Sequence, residues 1–153
     1  MPYPALSALT CGVADHLDTR WPATTRTPAF VLSKRVATHA SSAVSVAEID
    51  VSFTGIDEVG YEGVGFAERL GGYELVEAEL TSVGSALPVN PSGGKGHPSG
   101  ATSVAHRADV SAQLRGEAVN LVDGARVALT GDINGPTAVS AVTILEGPAY
   151  GAR

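Results

Sequence analysis

Asn90-Pro91-Ser92-Gly93-Gly94-Lys95-Gly96-His97-Pro98-Ser99-Gly100-Ala101-Thr102 holds the residues best placed to do chemistry. Four glycines open backbone conformations closed to other residues and let a ligand approach the main chain. A histidine held in such a loop can move a proton near neutral pH or donate to an oxyanion. Pro98 stiffens the turn that carries it. The segment after Gly100 reads as a helix, whose free N–H groups and positive dipole end stabilise negative charge. Composition alone leaves a solvent-exposed loop with a histidine equally open. A phosphate-binding P-loop fits less well, because Gly94-Lys95 runs into Gly96 instead of Ser or Thr.

The rest of the chain must position this loop. Ala5-Leu6-Ser7-Ala8-Leu9 reads as a short strand ending at Thr10-Cys11-Gly12. A polar stretch from Asp15 to Thr27 reads as a connection. Pro28 then suits the first turn of a helix running to about Val44, with Phe30, Val36, Ala37, Ala40 and Val44 at helical spacing. Ile49 to Phe53 is β-like. Between Thr54 and Phe66 four glycines weaken any helix, each costing about 1 kcal/mol against alanine. Tyr73 to Leu80 alternates as a strand would, and Ala86-Leu87-Pro88-Val89 reads as a second extended piece. Ala101, Val104, Ala105, Ala108 and Ala112 form the apolar stripe of a helix ended by Gly116 or Asn120. Arg126 to Thr130 and Val139 to Leu145 read as two final strands around the loop Gly131 to Pro136. Strands and helices interleave, so the expected class is an α/β layered domain with a mixed sheet flanked by helices, spanning residues 1–153 as one unit.

Length and composition bound what this domain does. The chain has 153 residues, of which 44% are apolar and 17% charged, enough for a core. Its net charge of −6 argues against a broad grip on nucleic acid. No apolar run reaches the roughly 20 residues of a membrane span, and the N-terminus has no charged-then-apolar leader pattern. One cysteine, Cys11, rules out an internal disulfide framework and fits the cytoplasm. Cys11 reads better as a small core residue than as a nucleophile. His106 and Asp109, at i and i+3, lack a third ligand, so a solvated helix face is the better reading and no metal site is expected. His16 and His39 stand isolated, and Asp57, Glu58 and Glu62 read as an acidic surface.

Asn90-Pro91-Ser92-Gly93-Gly94, Gly96-His97-Pro98 and Gly100-Ala101-Thr102 together resemble the thiolase signature Asn-x-x-Gly-Gly…Gly-His-Pro-x-Gly-Ala. Gln113-Leu114-Arg115-Gly116 is similar to the family's following helix, and Ala125 to Leu129 and Ala138 to Glu146 to its last two strands. Gly12-Val13-Ala14-Asp15 and Ala47 to Val51 are weaker landmarks of the same C-terminal half. The match is best over 86–147 and loosest over 1–27, and the nearest subgroup is the sterol-carrier-protein-type and acetyl-CoA acetyltransferase-like thiolases.

The resemblance implies a layered thiolase-like C-terminal domain acting on acyl-CoA thioesters. His97 would take the proton of a nucleophilic cysteine and donate to the oxyanion, with Gly96 and Gly135 as further oxyanion donors. Asn90, Ser92, Gly93 and Gly94 would shape the substrate side. Coenzyme A enters as the thioester substrate, and no separate cofactor or metal is implied.

Three features depart from the family pattern. The cysteine-bearing half is absent from residues 1–153. Val51 runs directly into Ser52-Phe53-Thr54, with no Asn or His for a catalytic water. The final loop, Gly131-Asp132-Ile133-Asn134-Gly135, lacks the second acid–base histidine or cysteine. A homo- or hetero-oligomer with a thiolase-type chain is therefore expected, either as an acyltransferase component or as a catalytically silent assembly subunit. Neither membrane nor nucleic acid is among its expected partners.

Overall fold

The computed structural model describes residues 5–13, 43–51, 55–94, 100–134 and 139–147, with backbone alone for 5–13, 133, 134, 139 and 140. Four strands, β1 (Ala5–Val13), β2 (Val46–Ile49), β3 (Val127–Asn134) and β4 (Val139–Glu146), form one sheet in the order β1-β4-β3-β2. β1 and β3 run antiparallel to β4, whereas β2 and β3 are parallel, so the sheet is mixed. Helices α1 (Ile56–Val64), α2 (Gly72–Glu77) and α3 (Thr102–Arg115) lie between β2 and β3 in the chain. This is the layered α/β architecture that the interleaved pattern predicts.

Strand alternation sends β2, β3 and β4 into two cores. Ala47, Ile49, Leu129, Val142 and Ile144 meet Tyr61 and Val64 of α1 on one face. Val46, Ala128 and Leu145 meet Val110 and Leu114 of α3 on the other. The glycines of α1, which the sequence reads as a weakness, are what bring it close to the sheet. A Cβ on Gly60 would sit 3.3 Å from Ile49 Cγ2, and one on Gly72 of α2 would collide with the Glu58 carbonyl at 2.2 Å. Gly55 and Gly65 bracket α1 in left-handed conformation (φ 90° and 82°), which costs glycine nothing.

Several expectations are corrected. Tyr73 to Leu80 is not a strand: residues 72–77 are helical and the chain then turns. The free edge of β2 is occupied instead by Pro88 to Asn90, so the piece expected to be extended over 86–89 pairs only at its end, after a bend at Ala86 and Leu87: Ala47 N donates to Pro88 O at 3.0 Å, and Asn90 N to Ala47 O at 2.8 Å. β2 ends at Ile49 where the sequence suggests a strand beginning. Ala43 lies in a turn and Val44 and Ser45 in irregular backbone, so the helix expected from Pro28 does not reach Val44; its remainder lies outside the described residues. Gly131 to Asn134, expected in a loop, continue β3, paired with Val142, Ala141, Ser140 and Val139. Asp57, Glu58 and Glu62 are half-buried rather than a fully solvated face, and burial pushes the Asp57 carboxyl up, with the Glu58 charge adding to it.

Candidate functional site

The loop after Val89 sits at the carboxyl end of the parallel pair β2 and β3 and leads toward the first turn of α3, a position where α/β sheets place ligands. It is tied down atom by atom. Asn90 adopts φ 54°, a left-handed conformation that asparagine tolerates. Its Oδ1 accepts from Ile49 N at 2.7 Å, and Gly93 N closes a turn on Asn90 O at 2.9 Å. Gly93 and Gly94 continue with φ 102° and 74°, conformations strained for any residue with a Cβ. Pro91 is buried, and its carbonyl accepts from Asn120 Nδ2 at 2.9 Å. Gln113 of α3 then holds the 116–124 loop, donating to Asn120 O at 2.7 Å and accepting from Val122 N at 2.9 Å.

Beneath this loop the sheet carries charge. Glu48 is fully buried and shares the α3 side of β2 with Val46. Its two carboxylate oxygens accept from Ser92, Oε1 from the backbone N at 3.0 Å and Oε2 from Oγ at 2.8 Å. Burial raises the Glu48 carboxyl above the usual carboxylate range. The two Ser92 donors and the nearby His106 pull it back, and Asp109 pushes it further up.

His106, on α3, is also fully buried, with Nδ1 2.9 Å from Asp132 Oδ1 of β3. Arg107 completes the cluster from the rim: Nη2 lies 3.6 Å from Asp132 Oδ2 and donates to Thr143 Oγ1 at 3.2 Å, and Nη1 donates to Ser103 O at 3.0 Å.

The surface reading of His106 and Asp109 is therefore overturned for His106. The inward face of α3 is His106, Val110, Gln113 and Leu114, whereas Ala101, Val104 and Ala108 of the expected apolar stripe face solvent. The spacing of the large residues Val110 and Leu114, extended back by four to His106, is the signal that marks the true face. No group of three or more His, Cys, Asp or Glu among the described residues could hold a metal ion.

The site thus joins a glycine loop, an uncapped helix N-terminus at Ala101 and a buried acid–imidazole pair. A family model described as thiolase C-terminal domain-like matches residues 17–147. The chain belongs to that family. An acetyl-CoA acetyltransferase from Methanothermobacter thermautotrophicus is 44% identical over 87 residues, covering 54% of this chain and 23% of that protein. Sterol carrier protein 2 from Oryctolagus cuniculus is 40% identical over 92 residues, covering 58% of this chain and 17% of that protein. The chain thus matches about a fifth of the length of these relatives. The solved structure of an Ltp2-ChsH2(DUF35) aldolase superposes with a TM-score of 0.79 at 17% identity, over 97% of this chain and 41% of that one, a likeness of fold.

Within this thiolase-like domain, Asn90, Ser92, Gly93 and Gly94 stand together on the loop over Glu48. Gly96, His97 and Gly135 lie outside the described residues. The backbone of Cys11 pairs with Ala141 in the β1–β4 ladder, and its side chain lies outside the described set. Sequence reading missed Glu48, His106, Arg107 and Asp132 as site residues. No helix among the described residues is long and apolar enough to cross a membrane.

Proposed function

We propose that this chain is the C-terminal component of a thiolase-type acyltransferase acting on acyl-CoA thioesters. His97 is the base toward a cysteine thiol supplied from outside residues 1–153, because a thiolate attacks a thioester far better than a thiol does. Gly96 and Gly135 are N–H donors to the oxyanion, which needs fixed dipoles where charge develops. Asn90, Ser92, Gly93 and Gly94 shape the wall on the substrate side, and coenzyme A enters only as the thioester. The partner is a cysteine-bearing thiolase-type chain, either a second species or a copy of a longer form. Exposed Leu70, Tyr73 and Val83 are apolar surface available to such a partner.

The observation that carries this reading is the anchoring of Asn90 to Gly94 on the carboxyl end of β2, one residue before Gly96-His97-Pro98 in the chain. The test is reconstitution with a cysteine-bearing thiolase half and assay of acetoacetyl-CoA thiolysis. The chain alone is expected to be inactive. His97→Ala in the assembled complex is expected to cut turnover about 10²- to 10⁴-fold with assembly retained. Turnover by the chain alone, lost on Cys11→Ser, would make Cys11 the nucleophile and sink the proposal.

A second reading, a catalytically silent assembly subunit, is favoured by one observation: Gly131 to Asn134, expected as the final acid–base loop, run in β3, with Asp132 buried against His106. On that reading His97→Ala leaves the activity of the complex unchanged.

A further inference from the structure

We infer that Glu48 is a positioning residue for the active-site loop, holding Ser92 by both of its donors so that residues 90–94 keep one path across the end of β2. This rests on the proposed function for its catalytic consequence but not for its structural one. The geometry is two-pronged. Each carboxylate oxygen takes a different Ser92 hydrogen, at 3.0 and 2.8 Å, which fixes both the backbone and the side chain of a residue that is otherwise exposed. Glu48 is itself held on both sides: fully buried, on a strand paired with β3 at Thr130 on one side and with the 88–90 segment bridged on the other.

Ser92 is flanked by Asn90, pinned through Oδ1, and by Gly93 and Gly94, which have no side chains to hold them. Without Glu48 the side-chain anchors between Val89 and Gly94 among the described residues are Asn90 and the contact of Asn120 with Pro91. A buried carboxylate is a costly way to fill space under a sheet, since an apolar residue would avoid the desolvation. Its retention here is matched by the two hydrogen bonds it accepts. Ser92, read from the sequence as a substrate contact, directs both donors inward to Glu48 and shapes the site from behind.

The test uses the 153-residue chain and amide hydrogen exchange. Glu48→Ala is expected to speed exchange at the Ser92 amide about 10- to 100-fold, the loss that follows removal of a charge-assisted bond. Glu48→Gln, whose amide can accept from Ser92 N and donate to Ser92 Oγ, is expected to restore protection to within about threefold of the parent. Should Glu48→Ala fail to fold, Ser92→Ala, at an exposed position, removes only the Oγ contact. It is expected to speed exchange at the position-92 amide about three- to tenfold.

In the reconstituted complex Glu48→Ala is expected to lower kcat about 10²-fold with KM little changed, the signature of a misplaced rather than a missing group. Unchanged exchange at position 92 in both Glu48→Ala and Ser92→Ala, or a Gln variant as unprotected as the Ala variant, overturns the clamp. If exchange responds as expected but His97→Ala leaves activity intact, the clamp stands and the acyltransferase reading falls.

Discussion

The two ends of α3 rest on the same sheet and are held by opposite chemistry. Toward its C-terminus Val110 and Leu114 lie on Val46, Ala128 and Leu145, an apolar seam beside which Gln113 turns its amide to the 120–122 backbone. Toward its N-terminus His106 and Arg107 meet Asp132 and Thr143, on the surface that also carries Glu48 and Thr130. The strands do not change direction or partner between the two ends; only the residues at alternate positions change, from Val46 to Glu48 on β2 and from Ala128 to Asp132 on β3. The apolar end gains from burial, on the order of 1.5–3 kcal/mol for a side chain such as Leu114. The polar end pays desolvation for each charge and recovers it only through geometry. A domain that needed adhesion alone would extend the apolar seam. The polar end lies beneath the glycine loop and the start of the helix, so its expense falls where direction matters more than adhesion.

That contrast is most exposed to mutation at Asp132. Asp132→Ala strips His106 of its 2.9 Å partner and Arg107 of its counter-charge, and is expected to destabilise the chain by about 3–5 kcal/mol in urea unfolding. Leu114→Ala should cost a comparable 2–5 kcal/mol by leaving a cavity. The two ends separate when a second change is added. Replacing His106 and Asp132 together by apolar residues of similar volume is expected to recover most of the single-mutant loss. Adding Val110→Ala to Leu114→Ala recovers nothing. A polar pair whose double replacement is as damaging as the sum of its parts would mean that the cluster stabilises the fold outright, and the contrast would fail.

Acid provides the next discrimination. Burial holds the Glu48 carboxyl above its ordinary 4.5, against the opposing pull of Ser92 and His106 and with Asp109 adding to the rise. The protonated form is therefore favoured by folding. As pH rises from about 4.5, the unfolded chain ionises first, and stability is lost until the folded carboxyl has ionised too. Glu48→Gln removes this dependence. Its melting temperature relative to the parent is expected to climb between pH 4.5 and neutrality, whereas Leu114→Ala shows no such pH-dependent gap. A parent–Gln difference that stays flat across that range would place Glu48 in a wetter setting than its burial indicates.

How far these features were legible in the sequence follows from how local their causes are. The strand at Ala5, the pairing piece that ends at Val89, the Gly116 helix stop and the final pair of strands depend on neighbours in the chain, and each reads from residue type and period. The glycine loop was legible because four glycines in eleven residues announce unusual backbone. The inward face of α3 was not. His106 is buried because Asp132, 26 residues away, meets it, and Gln113 because its amide holds the backbone on either side of Leu121. Hydropathy scores both as surface. The alternation of Tyr73 to Leu80 gives no hint that the β2 edge is already taken by Pro88 to Asn90. Long-range pairing, not propensity, decided each of these.

The smallest effect concerns two threonines. Thr130 and Thr143 are register partners on β3 and β4, both buried, between Glu48 on one side and Arg107 on the other. Thr143 Oγ1 accepts from Arg107 Nη2, whereas Thr130 Oγ1 has no hydrogen-bond partner among the described residues. A buried hydroxyl left unbonded costs about 1–3 kcal/mol, and valine has nearly the same shape without it. Thr130→Val is therefore expected to stabilise the chain by about 1 kcal/mol, or about 2–4 °C in melting temperature at this size. Thr143→Val is expected to lower it by about 0.5–1 kcal/mol, because Arg107 loses an acceptor but retains contact with water. Opposite signs at adjacent positions of the same residue type would show that the polar end is tuned bond by bond. Equal losses would mean that the Thr130 hydroxyl is bonded in solution, and the polar end would then be a connected network reaching from Glu48 to Arg107 instead of two separate clusters.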